Sequence, residues 1–275
     1  MRITPLEPFG ASVSDVALDA LSDSAAEDVR AVVCRARVAV FRDQTLGDAA
    51  FASFLARLGE TMFTDGETPV AHEPRLNVVT NVGRTRTPRS VFHTDTSYVG
   101  RPPAFTALRA VQVPDGGGET LFSDQVRAAA DLPGWAWDRL DGRTVRHAYG
   151  TDTLAEASAW HPLLRRHPVT GETALYLSTP ERCAQVSGFD DGLSARVITL
   201  LYRHSTRPAR LYRHRWRAGD VVIWDDRLTL HKADHSAVVG ARTFHRGMVR
   251  GEVPIMAEGM AGATKDMTHK KMALA

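Results

Sequence analysis

The stretch HPLLRRHPVTGETALYLS (161–178) consists of two short runs of strand-forming residues on either side of Pro-Val-Thr-Gly (168–171). Pro and Gly between two such runs are a turn signal, so the stretch predicts a β-hairpin. Further short strand-forming runs, separated by turn-forming residues, occur from about Arg75 onward. They are RLNVVTNV (75–82), AFTALRAVQV (104–113), ETLFSD (119–124), TVRHAYG (144–150), ARLYRHRW (209–216), GDVVIWDD (219–226) and ARTFHRGMV (241–249).

Three helices are predicted beside these runs. The sequence Ser24-Ala-Ala-Glu27 matches a capping box and predicts a helix through about Arg35. Asp48 is expected to cap a second helix that ends at Gly59, and a third covers about 191–204. VAVFRD (38–43) has the pattern of a buried strand. Many short strands with a few helices outside them predict a mainly β fold with flanking helices, either a double-stranded β-helix (jelly roll) or a sandwich.

Composition and charge narrow the class of protein. The chain has 275 residues and a formal net charge of +2, which is too balanced to demand a polyanionic partner. Cys34 and Cys183 are its only cysteines, which suits a reducing cytoplasm. The sequence shows no signal peptide, and no apolar run approaches the ~18 residues of a membrane span. We therefore expect a cytoplasmic protein without a membrane partner.

The organisation along the chain is simple. Neither an internal repeat nor a Gly/Ser-rich linker divides it, so we expect a single domain over residues 1–275. The tail from about 255 has no assignable pattern, and a flexible segment and an intersubunit arm both remain open.

The motif Phe92-His93-Thr94-Asp95 is the sharpest local feature. In an extended segment, residues two apart point to the same side, so His93 and Asp95 can converge on one point. An imidazole and a carboxylate are two of the three ligands in the 2-His-1-carboxylate facial triad, which binds Fe(II) with open positions. The alternative is a surface histidine beside a turn-forming aspartate.

A second histidine and two arginines strengthen the metal interpretation. His231 lies near the end of the run LTLHKAD (228–234) and is positioned to supply a third ligand from across a barrel. Arg242 and Arg246 follow in the next run, and a guanidinium near an iron site can bind a carboxylate bidentately. Considered singly, each of these residues also fits an ordinary strand-end or solvated position.

Together these segments resemble the taurine dioxygenase/TfdA family of Fe(II)- and 2-oxoglutarate-dependent dioxygenases. FHTDTSY (92–98), GGGETLFSD (116–124), RRHPVTGETALYLS (165–178), WRAGDVVIWDDRLTLH (216–231) and RTFHR (242–246) appear in the family's order. The resemblance implies a jelly roll in which His93, Asp95 and His231 bind iron. It also implies that Thr120 and Arg242 bind 2-oxoglutarate, and that Arg246 matches an arginine that holds the substrate's sulfonate in the taurine enzyme. It assigns no catalytic residue beyond the metal ligands.

The implied activity is an Fe(II)- and 2-oxoglutarate-dependent oxygenase that uses O2 to oxidise a C–H bond while 2-oxoglutarate becomes succinate. The carboxylate of Asp95 favours oxygenation over halogenation, because related halogenases lack it to make room for chloride. Two alternatives stay open. One is a tailoring oxygenase acting on a larger natural-product intermediate, and the other is a jelly-roll protein that binds a metal or ligand without turnover.

The substrate is expected to be a small molecule with a carboxylate or sulfonate. Arg246 and Arg89 motivate this expectation, because guanidinium groups pair with such anions. The polar stretch between Gly59 and Phe92 adds His72 and Asn81 as candidate substrate contacts, with ordinary loop solvation as the alternative.

The arginine-rich segment 202–217 carries interleaved aromatic residues, a composition that would also suit a nucleic-acid groove. The net charge of +2 argues against that function, so we expect a solvated helix end and strand, and no nucleic-acid partner. The family resemblance allows a homo-oligomer.

Overall fold

The computed structural model describes residues 1–64, 66–84, 90–149 and 157–258. Five α-helices, two short 3-10 helices (Leu18–Ala20 and Pro208–Arg210) and eighteen strands are defined in these residues. The helices are α1 Asp23–Ala36, α2 Asp48–Leu58, α3 Gln125–Ala130, α4 Gly134–Leu140 and α5 Asp191–Ser205. The strands are β1 Arg2–Pro5, β2 Ala11–Ser14, β3 Val38–Phe41, β4 Thr61–Met62, β5 Pro69–Val70, β6 Glu73–Thr80, β7 Pro103–Gln112, β8 Thr120–Asp124, β9 Thr144–Ala148, β10 Ser158–Pro162, β11 Leu164–Arg166, β12 Thr173–Leu175, β13 Cys183–Val186, β14 Leu211–His214, β15 Val221–Asp225, β16 Thr229–Ala233, β17 Thr243–Arg250 and β18 Ile255–Met256.

A large sheet and a small sheet form the jelly roll. The large sheet has the strand order β1-β2-β3-β15-β7-β17-β6-β5, and β4 also pairs with β17. The small sheet has the order β14-β8-β16. An apolar cluster joins the two, with Trp224 and Phe244 from the large sheet and Phe122 from the small sheet. The mainly β fold with flanking helices is therefore confirmed, and it is the jelly roll rather than a sandwich.

The central strands of the large sheet are buried on both faces. On β15, Val222 and Trp224 face the small sheet, whereas Val221 and Ile223 pack against the helices α1 and α2. This division follows from the alternation of side chains along a strand. The same alternation on β17 directs Phe244, and every second residue counted from it, into the space between the two sheets. That space holds the candidate site.

Two helix starts differ from the sequence prediction. The N-cap of α1 is Ser22, whose hydroxyl accepts a hydrogen bond from the Ala25 N–H, so the predicted box at Ser24 is wrong by two residues. The N-cap of α2 is Gly47. Asp48 begins that helix instead of capping it, because its carboxylate binds Arg109 and His245.

The remaining strands form two further small sheets around a second apolar cluster with α3, α4 and α5. The predicted hairpin is confirmed, since β11 and β12 pair antiparallel. The prediction of a tail without pattern from about 255 is wrong at its start, because Ile255 and Met256 form β18 against β11. Residues 259–275 lie outside the described residues. Among the described helices, none is long and apolar enough to cross a membrane.

A buried ion pair ties the large sheet to α1. Arg227 donates two hydrogen bonds to Asp225, at 2.8 and 2.6 Å, and a third to the Cys34 Sγ at 3.3 Å. His167 Nε2 lies 3.0 Å from the same carboxylate. Cys34, His167 and Asp225 have the spacing of metal ligands. Here the guanidinium of Arg227 already supplies the positive charge that a metal ion would bring, and burial raises the pKa of the Cys34 thiol to about 11.

Phe51 on α2 is fully buried between the helix and the large sheet. We expect Phe51→Ala to lower the free energy of unfolding by about 3–5 kcal/mol, through lost burial and a residual cavity. Urea denaturation checks this. Ser53→Ala on the exposed side of the same helix is the control, with an expected change within about 0.5 kcal/mol. Equal effects of the two substitutions would contradict the packing of α2.

Asp225 should make a pH-dependent contribution to stability. Burial alone would raise the pKa of this carboxyl, but Arg227 and His167 outweigh burial and hold it well below the usual value. The unfolded chain therefore takes up the proton first, below about pH 4, and the stabilisation is lost as the pH falls from there.

We expect Asp225→Asn to cost about 3–5 kcal/mol at pH 7, because it leaves Arg227 buried without its counter-charge. Between pH 6 and pH 3, the variant should lose about 1 kcal/mol less than the parent protein. Urea denaturation at both pH values measures the difference, with Asp28→Asn, an exposed carboxylate on α1, as control. An unchanged pH dependence in Asp225→Asn would refute the assignment.

Candidate active site

Two histidines from distant parts of the chain are held side by side by their backbones. The His93 N–H donates to the His231 carbonyl at 2.9 Å, and the His231 N–H donates to the His93 carbonyl at the same distance. This isolated antiparallel bridge brings the ring centroids to 4.3 Å. Their separation is therefore fixed by main-chain geometry rather than by the side chains.

Asp95 completes a group of three potential metal ligands. Its Oδ1 lies 3.5 Å from His93 Nε2, and its Oδ2 lies 3.7 Å from His231 Nε2. For a first-row ion such as Zn²⁺, bonds of about 2.0–2.2 Å place neighbouring ligand atoms roughly 3 Å apart. The three side chains would need to move little to share one ion. This pair of imidazoles with one carboxylate is also the donor set of a 2-His-1-carboxylate iron site.

The hydrogen bonds and charges around the three groups fit metal binding. His93 Nδ1 lies 3.0 Å from the Val91 carbonyl, an acceptor for a hydrogen bond from Nδ1, and Nε2 is the ring nitrogen on the side of Asp95. Burial, followed by the nearby His93, lowers the pKa of His231 to about 3, so this imidazole is neutral. Burial would raise the pKa of Asp95, but Arg246 and both histidines hold it well below the usual value. Neutral imidazoles and an ionised carboxylate are the ligating forms.

Arg242 is a buried cation without an anion. It is 1% exposed, and no described carboxylate lies within ion-pair distance of it. Its Nε donates to the Gly118 carbonyl at 3.0 Å, its Nη2 lies 3.5 Å from the Thr120 hydroxyl, and its guanidinium stacks on Phe244 at 4.1 Å. Burial lowers the pKa of Arg242 to about 10, which still leaves the guanidinium charged at pH 7. A buried, unpaired charge of this kind is a position prepared for an anionic ligand.

Thr120 is oriented by neighbours on both sides. Its hydroxyl accepts a hydrogen bond from Trp216 Nε1 at 3.0 Å, so the hydroxyl proton remains available to a ligand. Before it, Gly118 has φ +73°, and a Cβ there would stand 2.9 Å from Pro114 and 3.2 Å from Arg242. Only glycine fits this conformation and this close approach. The glycine run thus lets the backbone carbonyl reach Arg242.

Arg246 lies two residues after Phe244 on β17, so its side chain also points into the space between the two sheets. Its Nη1 donates to Asp95 Oδ1 at 3.0 Å, and its Nη2 donates to Glu67. Burial raises the pKa of Glu67, because the ion pair with Arg246 offsets only part of the desolvation. Arg246 is therefore both a neighbour of the metal ligands and one half of an ion pair with Glu67.

Asn81 and His72, two other predicted substrate contacts, hydrogen-bond to other parts of the protein. Asn81 binds the backbone beside Arg242: its Oδ1 accepts from the Arg242 N–H at 2.8 Å, and its Nδ2 donates to the Gly240 carbonyl at 3.1 Å. His72 is exposed, with Nε2 3.0 Å from Asp48 on the helix-facing side of the large sheet, away from the three ligands. Arg89 lies outside the described residues.

Sequence reasoning missed several residues of the site. Glu67 lies in the polar stretch that was singled out, but no motif marks it. Trp216 appears in the strand-forming run 209–216 and in the family segment 216–231, but neither pattern marks it as a partner of Thr120. Ser97 follows the metal motif and contacts two buried histidines, with its hydroxyl 2.9 Å from His147 Nδ1 and its carbonyl 2.8 Å from His161 Nε2. Only proximity in the fold reveals these partners.

Comparison with known proteins identifies the family of this chain. The family model described as "Taurine catabolism dioxygenase TauD, TfdA family" matches residues 2–248. A structure described as a putative α-ketoglutarate-dependent taurine dioxygenase from Burkholderia xenovorans superposes with a TM-score of 0.82 and 31% identity, covering 94% of this chain and 92% of that chain.

Two curated relatives match over most of their lengths. An α-ketoglutarate-dependent sulfate ester dioxygenase of Pseudomonas putida is 31% identical, over 93% of this chain and 91% of its own. A pentalenolactone F synthase of Streptomyces arenae is 30% identical, over 84% of this chain and 89% of its own. The alternative of a jelly-roll protein without turnover is thereby set aside. The chain belongs to the TauD/TfdA family of 2-oxoglutarate-dependent dioxygenases, oxidoreductases that use Fe(II), 2-oxoglutarate and O2.

Proposed function

We propose that this enzyme oxidises a C–H bond of a small organic anion, with 2-oxoglutarate converted to succinate. His93, Asp95 and His231 hold Fe(II) in this proposal, and Arg242 and Thr120 hold a carboxylate of 2-oxoglutarate. The observation that carries it is the unpaired, buried guanidinium of Arg242 in the same interior as the three metal ligands. Bound Fe(II) supplies the activation of O2 that the side chains themselves do not provide.

The protein's own residues bind and orient the reactants. Arg242 offers a charge that is already desolvated, so a carboxylate that replaces water there gains a strong ion pair. The Thr120 hydroxyl donates to the same anion, since Trp216 satisfies its lone pair. Asn81 fixes the backbone of Arg242 from the other side.

Aromatic side chains limit the access of water to the ligands. The ring of Trp224 lies 4.6 Å from that of His231, and Phe122 lies 6.4 Å from it on the small sheet. Both aromatic residues are fully buried. The exclusion of water on this side strengthens electrostatic interactions at the site and limits side reactions of a reactive oxidant.

The position of Arg246 supports the proposal that the substrate carries an anionic group. Its guanidinium lies beside Asp95, so an anion bound there would stand next to the metal ligands. Two of the similar proteins are named for a sulfate ester and for taurine, both of which carry anionic sulfur groups. A carboxylate or sulfonate on this chain's substrate is the corresponding proposal. Arg89 stays a prediction as a second contact.

A larger natural-product intermediate is the second candidate substrate. The similarity to pentalenolactone F synthase, at 30% identity, favours it. A substrate screen that includes small anions and terpenoid or peptide-derived acids, scored by succinate release, separates the two. The cytoplasmic location and a homo-oligomeric state stay predictions.

Anaerobic addition of Fe(II) and then 2-oxoglutarate should produce the weak visible charge-transfer band of the iron chelate. We expect His93→Ala to abolish the band. The Arg242→Ala variant should still bind iron, but its affinity for 2-oxoglutarate should fall at least about 30-fold, because the substitution removes one partner of a desolvated charge pair. Arg215→Ala, a highly exposed arginine, is the control. A normal band in both site variants would refute the proposed roles.

Once a substrate is found, Arg246→Ala should weaken its binding about 10- to 150-fold, the contribution of a hydrogen bond to a charged group. Calorimetric titration of the anaerobic complex with Fe(II) and 2-oxoglutarate measures the affinity directly. Unchanged substrate affinity in Arg246→Ala, with 2-oxoglutarate turnover intact, would show that the anionic group binds elsewhere.

A further inference from the structure

The position of the Asp95 carboxylate depends on a turn, whereas the two histidine ligands are held by strand-like pairing. His93 and His231 are joined by their backbone bridge. Asp95 lies beyond that bridge, at the start of a turn over 95–98. The contacts that hold this turn therefore determine where the carboxylate lies relative to the two imidazoles.

The turn contains a residue in an unfavourable backbone conformation. Thr96, which follows Asp95, has φ +42°. A β-branched residue rarely adopts this left-handed conformation, which persists only where surrounding contacts hold it. The Thr96 hydroxyl lies 3.1 Å from that of Thr64, so its side chain has one such contact. The backbone of the turn is held at the next residue, Ser97.

Two buried histidines hold Ser97. The Nε2 of His161 donates to the Ser97 carbonyl at 2.8 Å, and the Nδ1 of His147 lies 2.9 Å from the Ser97 hydroxyl. The three residues are at most 2% exposed. His147 on β9 and His161 on β10 belong to paired antiparallel strands, and their ring centroids lie 5.2 Å apart. The backbone and the side chain of Ser97 are thus both bound to a sheet that is separate from the two sheets of the jelly roll.

Packing alone does not account for two histidines at these positions. Burial lowers the pKa of His161 to about 4 and that of His147 well below its usual value, so both rings are neutral at pH 7. Burying a polar ring costs desolvation energy that an apolar ring does not cost, unless hydrogen bonds offset it. The hydrogen bonds to Ser97 provide such an offset. They depend on the imidazole nitrogens and not on the volume of the rings.

We infer that His147 and His161 are positioning residues for the metal site. By holding Ser97, they keep the turn in the conformation that brings the Asp95 carboxylate within 3.5 and 3.7 Å of the two histidine nitrogens. Their effect is indirect and passes through the backbone between Ser97 and Asp95. This inference rests on the proposed function, because that function makes Asp95 a metal ligand.

Substitutions of His161 separate the effect of the hydrogen bond from the effect of the ring. His161→Phe keeps an aromatic ring and removes the donor to the Ser97 carbonyl. We expect the affinity for Fe(II) to fall about 10- to 100-fold, the usual effect of losing a partner around metal ligands. His161→Gln offers an amide N–H in place of Nε2–H and should bind Fe(II) more tightly than His161→Phe. Anaerobic competition with a colorimetric iron chelator measures the affinity of each apo-protein.

A smaller change tests the same turn at Ser97. Ser97→Ala removes only the hydroxyl, and the affinity for Fe(II) should fall about 2- to 12-fold, the contribution of one neutral hydrogen bond. Ser194→Ala is the matched control. Ser194 on α5 is also fully buried, and its hydroxyl accepts one hydrogen bond, from the Val186 N–H at 3.1 Å. This control should bind Fe(II) as the parent protein does.

A spectrum of the bound metal distinguishes positioning from a general loss of stability. Co(II) is added to the apo-protein in place of Fe(II), since its visible absorption depends on the number and arrangement of the ligands. We expect a changed Co(II) spectrum in His161→Phe and Ser97→Ala. Phe51→Ala, which destabilises the fold at α2, should retain the parent spectrum. Thermal unfolding identifies the folded variants, and Ser97→Ala decides the question if His161→Phe does not fold.

The inference is overturned if the folded variants at Ser97 and His161 retain the parent's Fe(II) affinity and Co(II) spectrum. It is also overturned if His161→Gln binds Fe(II) no better than His161→Phe, or if Ser194→Ala weakens binding as much as Ser97→Ala. His93→Ala separates these results from a failure of the proposed function. If the parent binds Fe(II) and His93→Ala does not, the metal site stands and only the positioning role is wrong. If the parent does not bind Fe(II), the proposed function fails and the inference fails with it.

Discussion

The unpaired charge of Arg242 is the constraint around which the interior of this enzyme is organised. A guanidinium buried between two sheets is costly unless a ligand or fixed dipoles compensate it. Here the compensation from the protein is partial: one carbonyl, one hydroxyl and the face of Phe244. The remaining charge is directed at the space between the sheets. An anionic co-substrate is the natural complement, and its binding should stabilise the folded protein as well.

The alternation of side chains along β17 links this charge to the rest of the site. Arg242, which directly precedes β17, points inward together with Phe244 and Arg246, whereas His245 points outward to Asp48 on α2. The bridge between His93 and His231 then places the candidate metal ligands on the opposite side of the same interior. A shift of one residue in the pairing of β17 would turn both arginines toward the helices, so the register of the large sheet is a condition for the chemistry.

Much of this arrangement could be predicted from sequence because its signals are local or ordered along the chain. The spacing of His93 and Asp95 expresses strand geometry, and the hairpin around 168–171 is marked by Pro and Gly. The tertiary partners were not predictable. Glu67 meets Arg246 across 179 positions without a motif, and His72 appeared equally suitable in sequence but lies on the other face of the sheet. Asp48 failed as a helix cap because Arg109 and His245, remote in sequence, bind its carboxylate.

The most direct test of the account is a crystal structure of the anaerobic enzyme soaked with Fe(II) and 2-oxoglutarate. The account predicts one iron ion bound by His93, Asp95 and His231, with a carboxylate of 2-oxoglutarate on Arg242 and Thr120. Iron at another cluster, such as Cys34, His167 and Asp225, would contradict it. A co-substrate that leaves Arg242 without an anion would contradict it equally.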